Sequence, residues 1–167
     1  MVSAYDELPR TPANFVALSP LRYLERAAYI YPHQNAIIHG SRQITWRETY
    51  LRCCQFAHQL QNLGISKNDT VSVLLPNVPA MLEAHFAVPM AGAVLNTLNT
   101  RLDAKTLAFM LNHAESKVLL VDPEFAALAQ EALEMVNHEV YVIDVSDTEY
   151  EHAANALSIG QIEYETW

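Results

Sequence analysis

Thr70-Val-Ser-Val-Leu-Leu75 is the first of four short apolar runs that alternate with helical patterns over residues 70–145. Short β-prone runs separated by amphipathic segments predict βαβ units with a parallel sheet. Parallel strands are joined by right-handed crossovers, which place helices on the faces of the sheet. The other three predicted strands are Ala93–Leu98, Lys117–Val121 and Val140–Val145.

Three helices are predicted between these strands. The first runs from Asn77 to Met90 and is apolar on most sides, so we expect other structure to cover it. The second begins near Asp103. The third follows Asp122-Pro123, a pair typical of an N-cap and a first-turn proline. Its apolar positions are Phe125, Leu128, Ala129, Ala132 and Val136.

Ahead of this region the sequence predicts a helix and a β-hairpin. Ser19-Pro20 is typical of a helix start, and Pro32 ends the helical run. The β-prone runs 35–39 and 42–46 flank Gly40-Ser41, a pattern that favours a hairpin with a type II′ turn. The fold class is therefore α/β, with a mostly parallel sheet, flanking helices and an N-terminal β-hairpin.

A second helix is predicted directly after the hairpin. Thr45 and Glu48 have the spacing of a capping box. Gly64 is expected to end the helix in the left-handed conformation. The apolar stripe of this helix is Cys53, Phe56, Ala57, Leu60 and Leu63.

The composition is that of a folded chain. Of 167 residues, 51% are hydrophobic and 17% charged, enough apolar surface for a core. The net charge of −9 is uneven, because the last fifty residues hold eleven of the nineteen acids and no basic residue. The ten basic residues are scattered rather than clustered, so we expect no nucleic-acid partner.

Targeting signals are not evident in the sequence. Residues 1–7 carry acids where a signal peptide has a basic region, and the most apolar stretch, 86–95, is too short to span a membrane. Cys53 and Cys54, the two cysteines, match no metal or redox spacing. A cytoplasmic location is the simplest expectation.

The four glycines, at positions 40, 64, 92 and 160, are at least 24 residues apart. This spacing excludes both the G-x-G-x-x-G dinucleotide fingerprint and the G-x-x-x-x-G-K-[ST] phosphate loop. The chain alone is therefore not expected to bind a nucleotide through such a loop.

Four residues are candidates for a functional site. His85 is interpreted as a hydrogen-bonded histidine in a buried helix, since Glu83 two positions earlier points elsewhere. His113 lies in the last helical turn, where a cation suits the helix dipole. Asp122 and Asp144 end parallel strands and could together hold Mg²⁺, but Asp122 also fits a helix cap. None forms a complete catalytic constellation.

Two stretches carry a family resemblance: Gly92-Ala-Val-Leu-Asn-Thr-Leu-Asn-Thr-Arg-Leu102 and Leu111-Asn-His-Ala-Glu-Ser-Lys-Val-Leu-Leu-Val-Asp122. They resemble the N-terminal part of AMP-forming acyl-CoA synthetases in the adenylate-forming superfamily, and most closely the subgroup that activates medium-chain and related short acids. The resemblance covers residues 11–145. Supporting segments are Leu24-Glu-Arg-Ala-Ala28, Tyr31-Pro32, Ile44-Thr-Trp-Arg-Glu48, Leu63-Gly-Ile65 and Val73-Leu-Leu-Pro-Asn77.

The resemblance implies an acid–CoA ligase that uses ATP, Mg²⁺ and coenzyme A. A carboxylic acid forms an acyl-adenylate with release of pyrophosphate, and coenzyme A then displaces AMP. The family's loop T-S-G-T-T-G-x-P-K-G and its C-terminal Lys have no match in residues 1–167. We therefore assign no catalytic, cofactor-binding or metal-binding residue to this chain, which is expected to be inactive alone and to self-associate.

The resemblance also implies a domain organisation. Residues 1–167 are interpreted as a truncated N-terminal portion of the large domain of the family, an incomplete part of its fold. They divide into an arm and helix (1–34), the hairpin plus α/β core (35–145) and an acidic segment leading toward the missing phosphate loop (146–167). Two alternatives stay open: a non-enzymatic interaction module that uses the acidic segment, and a self-contained flavodoxin-like binding module.

Overall fold

A computed structural model of the chain describes residues 9–146 and 158–166. The helices are α1 (Pro20–Ile30), α2 (Trp46–Asn62), α3 (Pro79–Met90), α4 (Ala104–His113) and α5 (Ala126–Leu133). The strands are β1 (Asn35–His39), β2 (Arg42–Thr45), β3 (Thr70–Leu74), β4 (Val94–Thr97), β5 (Ser116–Val121), β6 (Tyr141–Asp144) and β7 (Ile162–Glu163). Single 3₁₀ turns occupy Pro123–Phe125 and Tyr164–Thr166.

The main sheet has the strand order β4-β3-β5-β6-β7, and every neighbouring pair is parallel. The four strands predicted from apolar runs are confirmed as β3 to β6. The fifth strand, β7, was missed, because it is only two residues long and lies in the weakly patterned segment after Ser146.

Helices cover both faces of this sheet, as a parallel sheet requires. The strand β5 shows the division: Val118 and Leu120 belong to the core on the α2 and α3 side, whereas Leu119 and Val121 belong to the core under α4 and α5. Because successive side chains on a strand point to opposite faces, one continuous apolar run supplies both cores.

The predicted helix boundaries of α1 and α2 are confirmed by their capping atoms. The Ser19 hydroxyl accepts a hydrogen bond from the Leu21 N–H, and Thr45 and Glu48 form the reciprocal capping box. Gly64 ends α2 with φ +81°. In the apolar stripe, Leu60 is fully buried, but Leu63 is 36% exposed, because the helix has ended at that residue.

The strands β1 and β2 form a separate two-stranded sheet with the predicted two-residue turn. His39 pairs with Arg42 across Gly40-Ser41, and Gly40 has φ +57°. A positive φ at the first turn position alone is the pattern of the predicted type II′ turn. The hairpin is joined to α2 without a loop, because Thr45 both ends β2 and caps the helix.

Two helix predictions need correction. The helix after Asp122-Pro123 opens as a 3₁₀ turn, and α5 ends at Leu133, so Val136 lies beyond it. The helix α3 is not covered on all sides: Leu82 is 40% exposed and His85 is exposed. Its buried side contains Ala80, Glu83, Ala84, Ala87 and Val88.

Candidate functional site

The carboxyl ends of all five parallel strands meet at one edge of the sheet. The order β4-β3-β5-β6-β7 corresponds to the order 2-1-3-4-5 of doubly wound flavodoxin-like sheets. Ligands of such sheets bind beyond the strand ends at the point where the winding reverses, here between β3 and β5. This crevice is flanked by the turn Leu75–Val78 after β3 and by Asp122 after β5.

The turn after β3 does not have the backbone of a phosphate site. Pro76 and Pro79 have no N–H, and the Val78 N–H donates to the Pro76 carbonyl at 2.9 Å. A phosphate cradle needs a row of free backbone donors, commonly provided by glycines. The crevice therefore lies where related sheets bind nucleotides, but it does not have the row of backbone N–H donors that a phosphate needs.

The two strand-end aspartates are both used inside the fold. Asp122 accepts a hydrogen bond from the Glu124 N–H at 2.9 Å and caps the 3₁₀ turn, as the sequence predicted. Asp144 is buried and accepts hydrogen bonds from the Ser158 hydroxyl and from the Gly160 N–H at 3.0 Å. The carboxylates thus act in capping and in chain docking rather than as a pair facing one ion.

The two candidate histidines lie on different helices. His85 is hydrogen-bonded through Nδ1 to the Met81 carbonyl at 2.8 Å, but its side chain is exposed, which corrects the buried placement expected for it. His113 lies in the last turn of α4, as predicted, and stacks on Phe109 with ring centroids 5.7 Å apart. Among residues 9–146 and 158–166, no three His, Cys, Asp or Glu residues are placed to hold a metal ion.

Sequence reasoning missed a cluster of linked ion pairs that lies between α2, α3 and the turn after β7. Glu83 is completely buried on α3. Arg52 on α2 binds it through two hydrogen bonds, Nε to Oε1 at 2.5 Å and Nη2 to Oε2 at 3.1 Å. The Tyr164 hydroxyl donates to Oε2 of the same carboxylate. We call these three residues the clamp.

A second carboxylate closes the clamp from the solvent side. Glu165 accepts hydrogen bonds from Arg52 at 2.9 and 3.1 Å and from Arg42 of β2 at 3.1 Å. The Tyr164 ring packs edge-on against Phe56, with ring centroids 5.1 Å apart. Glu163 accepts hydrogen bonds from the backbone and the hydroxyl of Ser146. Both acids of this turn are therefore bound to other residues of the same chain.

Burial and charge in the clamp change the acidity of its neighbours. Burial, together with the negative charge of Glu83, raises the pKa of the Tyr164 hydroxyl well above its ordinary value, so the hydroxyl stays a donor. Burial and the same charge raise the pKa of the Cys53 thiol to about 12. Burial alone would lower the pKa of Arg52, but its hydrogen bonds with Glu83 and Glu165 raise it.

One signal in the sequence could have found part of this cluster. Glu83 is the single acid in a helix whose other residues, apart from His85, are apolar, and a buried carboxylate requires a cationic or hydrogen-bonding partner. The signal does not name the partner. Arg52 lies 31 residues away and Tyr164 lies 81 residues away, so only the packed fold brings them together.

A polar cavity of about 660 Å³ lies at the opposite, amino edge of the sheet. Lys117 and Asp69 form an ion pair there at 2.8 Å, and His138 is hydrogen-bonded to the Ser116 carbonyl at 3.0 Å. Hydrogen bonds from Lys117 and from the Ser66 N–H lower the pKa of Asp69.

In the part of the chain that the structure describes, no helix is long and apolar enough to cross a membrane.

Comparisons with known proteins agree with the fold. A family model described as AMP-binding enzyme matches residues 24–162. Acetate–CoA ligase CCL3 of Humulus lupulus is 48% identical over 169 aligned residues, which cover 96% of this chain and 30% of that protein. The peroxisomal butyrate–CoA ligase AAE11 of Arabidopsis thaliana is 55% identical over 131 residues, 78% of this chain and 23% of that protein.

Solved structures show the same likeness. O-succinylbenzoate coenzyme A synthetase (MenE) of Bacillus subtilis, in complex with AMP, superposes with a TM-score of 0.63 and 29% identity, covering 73% of this chain and 30% of that one. The chain thus spans about a quarter to a third of the length of the proteins it matches.

Proposed function

The chain belongs to the AMP-binding enzyme family, and we propose that it is the N-terminal portion of an ATP-dependent acid–CoA ligase. The observation that carries this proposal is that the family model matches residues 24–162, and that two relatives named as CoA ligases are 48% and 55% identical to this chain. In the proposed reaction, a carboxylic acid and ATP form an acyl-adenylate with release of pyrophosphate, and the acyl group then passes to the thiol of coenzyme A with release of AMP.

The described residues supply scaffold rather than chemistry for this reaction. The crevice between β3 and β5 has no row of backbone donors for the phosphates of ATP, and its strand-end aspartates are occupied in capping and docking. The residues present therefore do not fit ATP or Mg²⁺. We propose that both are bound by residues that follow this segment in the full-length protein, and that the 167-residue chain alone is inactive.

We further propose that the acid is a medium-chain fatty acid or a related carboxylic acid. This rests on the sequence resemblance to the medium-chain subgroup. Of the relatives described above, the two with the higher identity are named for acetate and butyrate, so acids of two to four carbons are the competing substrate class. A series of straight-chain acids, assayed under one set of conditions, separates these two possibilities by the position of the maximum in kcat/KM.

The decisive experiment is to express the continuous reading frame that contains these residues and to measure acid-dependent exchange of pyrophosphate into ATP. We expect exchange without coenzyme A, and acyl-CoA and AMP once coenzyme A is added. The 167-residue chain, purified in parallel, is the matched control and should show neither reaction. Absence of both reactions from a full-length protein with the complete phosphate loop contradicts the proposed activity.

A cytoplasmic location remains part of the proposal. The peroxisome is the competing compartment, since several relatives, the butyrate–CoA ligase among them, are named as peroxisomal. Imaging of the full-length protein, tagged in turn at each terminus beside a peroxisomal marker, distinguishes diffuse from punctate signal.

A further inference from the structure

Residues 158–166 dock back onto the body of the fold; we call them the docked segment. Its first anchor is the buried carboxylate of Asp144, which accepts hydrogen bonds from Ser158 and from the Gly160 N–H. Strand pairing extends this contact, since the Gln161 N–H donates to the Val142 carbonyl at 2.8 Å.

The approach at this anchor is too close for a side chain. A Cβ placed on Gly160 would lie 2.6 Å from the Asp144 backbone nitrogen and 2.8 Å from its Cγ. Real Cβ atoms do not come this close to backbone, so the glycine is required by the docking itself. The docked segment is therefore held in one defined position against β6.

The second anchor is the clamp, at the other end of the segment. Tyr164 is buried, its ring packs on Phe56 and its hydroxyl donates to the Glu83 carboxylate, which also accepts two hydrogen bonds from Arg52. Asp144 and the clamp thus fix the segment on both sides of β7, over only nine residues.

The clamp lies where the chain leaves the sheet. All five strands are parallel, so the turn after β7 emerges at the carboxyl edge, where open α/β sheets bind their ligands. Relatives of this chain are about three times as long. In the proposed function this chain corresponds to their N-terminal portion, so the ATP-binding part follows this region. A small displacement of the chain at the turn after β7 would therefore also displace the residues that follow it in the full-length protein.

We propose that Glu83, Arg52 and Tyr164 are positioning residues, which fix the exit point of the chain and thereby the ATP-binding part of the full-length ligase. This inference rests on the proposed function. A buried ion pair is a poor choice for stability alone, because apolar side chains of similar volume commonly do as well or better. Its directional hydrogen bonds instead impose one register on the segment they hold.

Hydrogen exchange on the 167-residue chain tests the docking. Tyr164→Phe keeps the ring and removes the hydroxyl, and Tyr29→Phe, at a residue 87% exposed, is the matched control. We expect amides of residues 161–166 to exchange about tenfold faster in Tyr164→Phe, with β3 and β5 unchanged. Equal exchange rates in the wild type and in Tyr164→Phe would contradict the claim that the clamp holds the docked segment in place.

Kinetics of the full-length protein test positioning. We expect Tyr164→Phe and Glu83→Gln to raise the KM for ATP about tenfold while kcat and the KM for the acid change little. A merely structural role would reduce the amount of active enzyme, and so kcat, at constant KM. An unchanged KM for ATP with loosened docking overturns the positioning role. A wild-type protein without activity contradicts the proposed function, and the exchange experiment still decides the clamp.

Discussion

Arg52 and Glu83 form a two-point ion pair across the interface of α2 and α3, with N–O distances of 2.5 and 3.1 Å. Glu83 is fully buried, while the Arg52 side chain is 23% exposed. The negative charge of Glu83 therefore lies inside the core, and the guanidinium of Arg52 that neutralises it reaches the surface. Tyr164 supplies a further donor to the same carboxylate.

Replacing Glu83 by Ala is expected to cost about 3–5 kcal/mol of unfolding free energy, because the variant leaves Arg52 partly buried without its main partner. Urea unfolding followed by circular dichroism measures this. Glu25→Ala is the matched control: its pair with Arg22 is more than half exposed, and such pairs contribute about 0–1 kcal/mol. Equal midpoints for the two variants would contradict the expected cost of leaving Arg52 without Glu83.

Leu60→Ala is expected to lower the unfolding free energy by about 2–5 kcal/mol, since Leu60 is fully buried in the core beneath α2 and its loss removes apolar contact and leaves a cavity. Leu51→Ala on the same helix is the control, because Leu51 is 51% exposed. The prediction fails if the two substitutions shift the urea midpoint equally.

The 167-residue chain alone is expected not to bind ATP with micromolar affinity. The physical reason is the crevice between β3 and β5, where Pro76 and Pro79 replace the donors that phosphates require. Isothermal titration with Mg-ATP measures this. A dissociation constant below about 10 μM, or roughly −7 kcal/mol, would show that the chain contains a nucleotide site of its own.

Stability should decrease in acid partly through Glu165. Burial works to raise the pKa of Glu165, but hydrogen bonds and charge from Arg52 and Arg42 outweigh it and hold the pKa below the ordinary value of 4.5. A group with a lowered pKa in the folded state stabilises above its unfolded value and loses that contribution as pH falls through the folded value. The loss is therefore expected below pH 4.5.

The size of this contribution is small, because the Glu165 side chain is 38% exposed and solvent screens it. Glu165→Gln should flatten the decrease in thermal midpoint between neutral pH and acid. Glu131→Gln, at an exposed carboxylate on α5, is the control and should retain the wild-type pH dependence. Identical pH profiles for all three proteins would remove Glu165 from the explanation.

Self-association of the isolated chain is expected. Ile38 of β1 is 70% exposed and Leu82 of α3 is 40% exposed, and they line one apolar groove of about 430 Å³. A second copy can cover this groove, or can pair with the edge strand β4. Light scattering after size exclusion at tens of micromolar should give a mass above the 18.8 kDa of the monomer.

Two variants locate the surface involved in self-association. Ile38→Lys with Leu82→Lys should return the chain to a monomer if the groove is the contact. Phe109→Lys, at a residue 66% exposed on α4 under the other face of the sheet, should not. A wild-type chain that is already monomeric, with no binding of dyes for apolar surface, would favour the self-contained α/β module.

The sequence by itself determined the local structure of this protein. Caps such as Thr45 with Glu48, the helix end at Gly64 and the succession of strands β1 to β6 along the chain could be predicted, because they depend on residues a few positions apart. The family could be recognised for a related reason: the characteristic segments follow one another along the chain in a fixed order.

Only the tertiary structure decided where the charges meet. Glu83 finds Arg52 and Tyr164 across 31 and 81 residues, and Asp144, which could be expected at a metal site, instead holds Gly160 of the docked segment. Hydrogen-bond partners of buried polar groups depend on which helices pack together, and no local pattern in the chain specifies that packing.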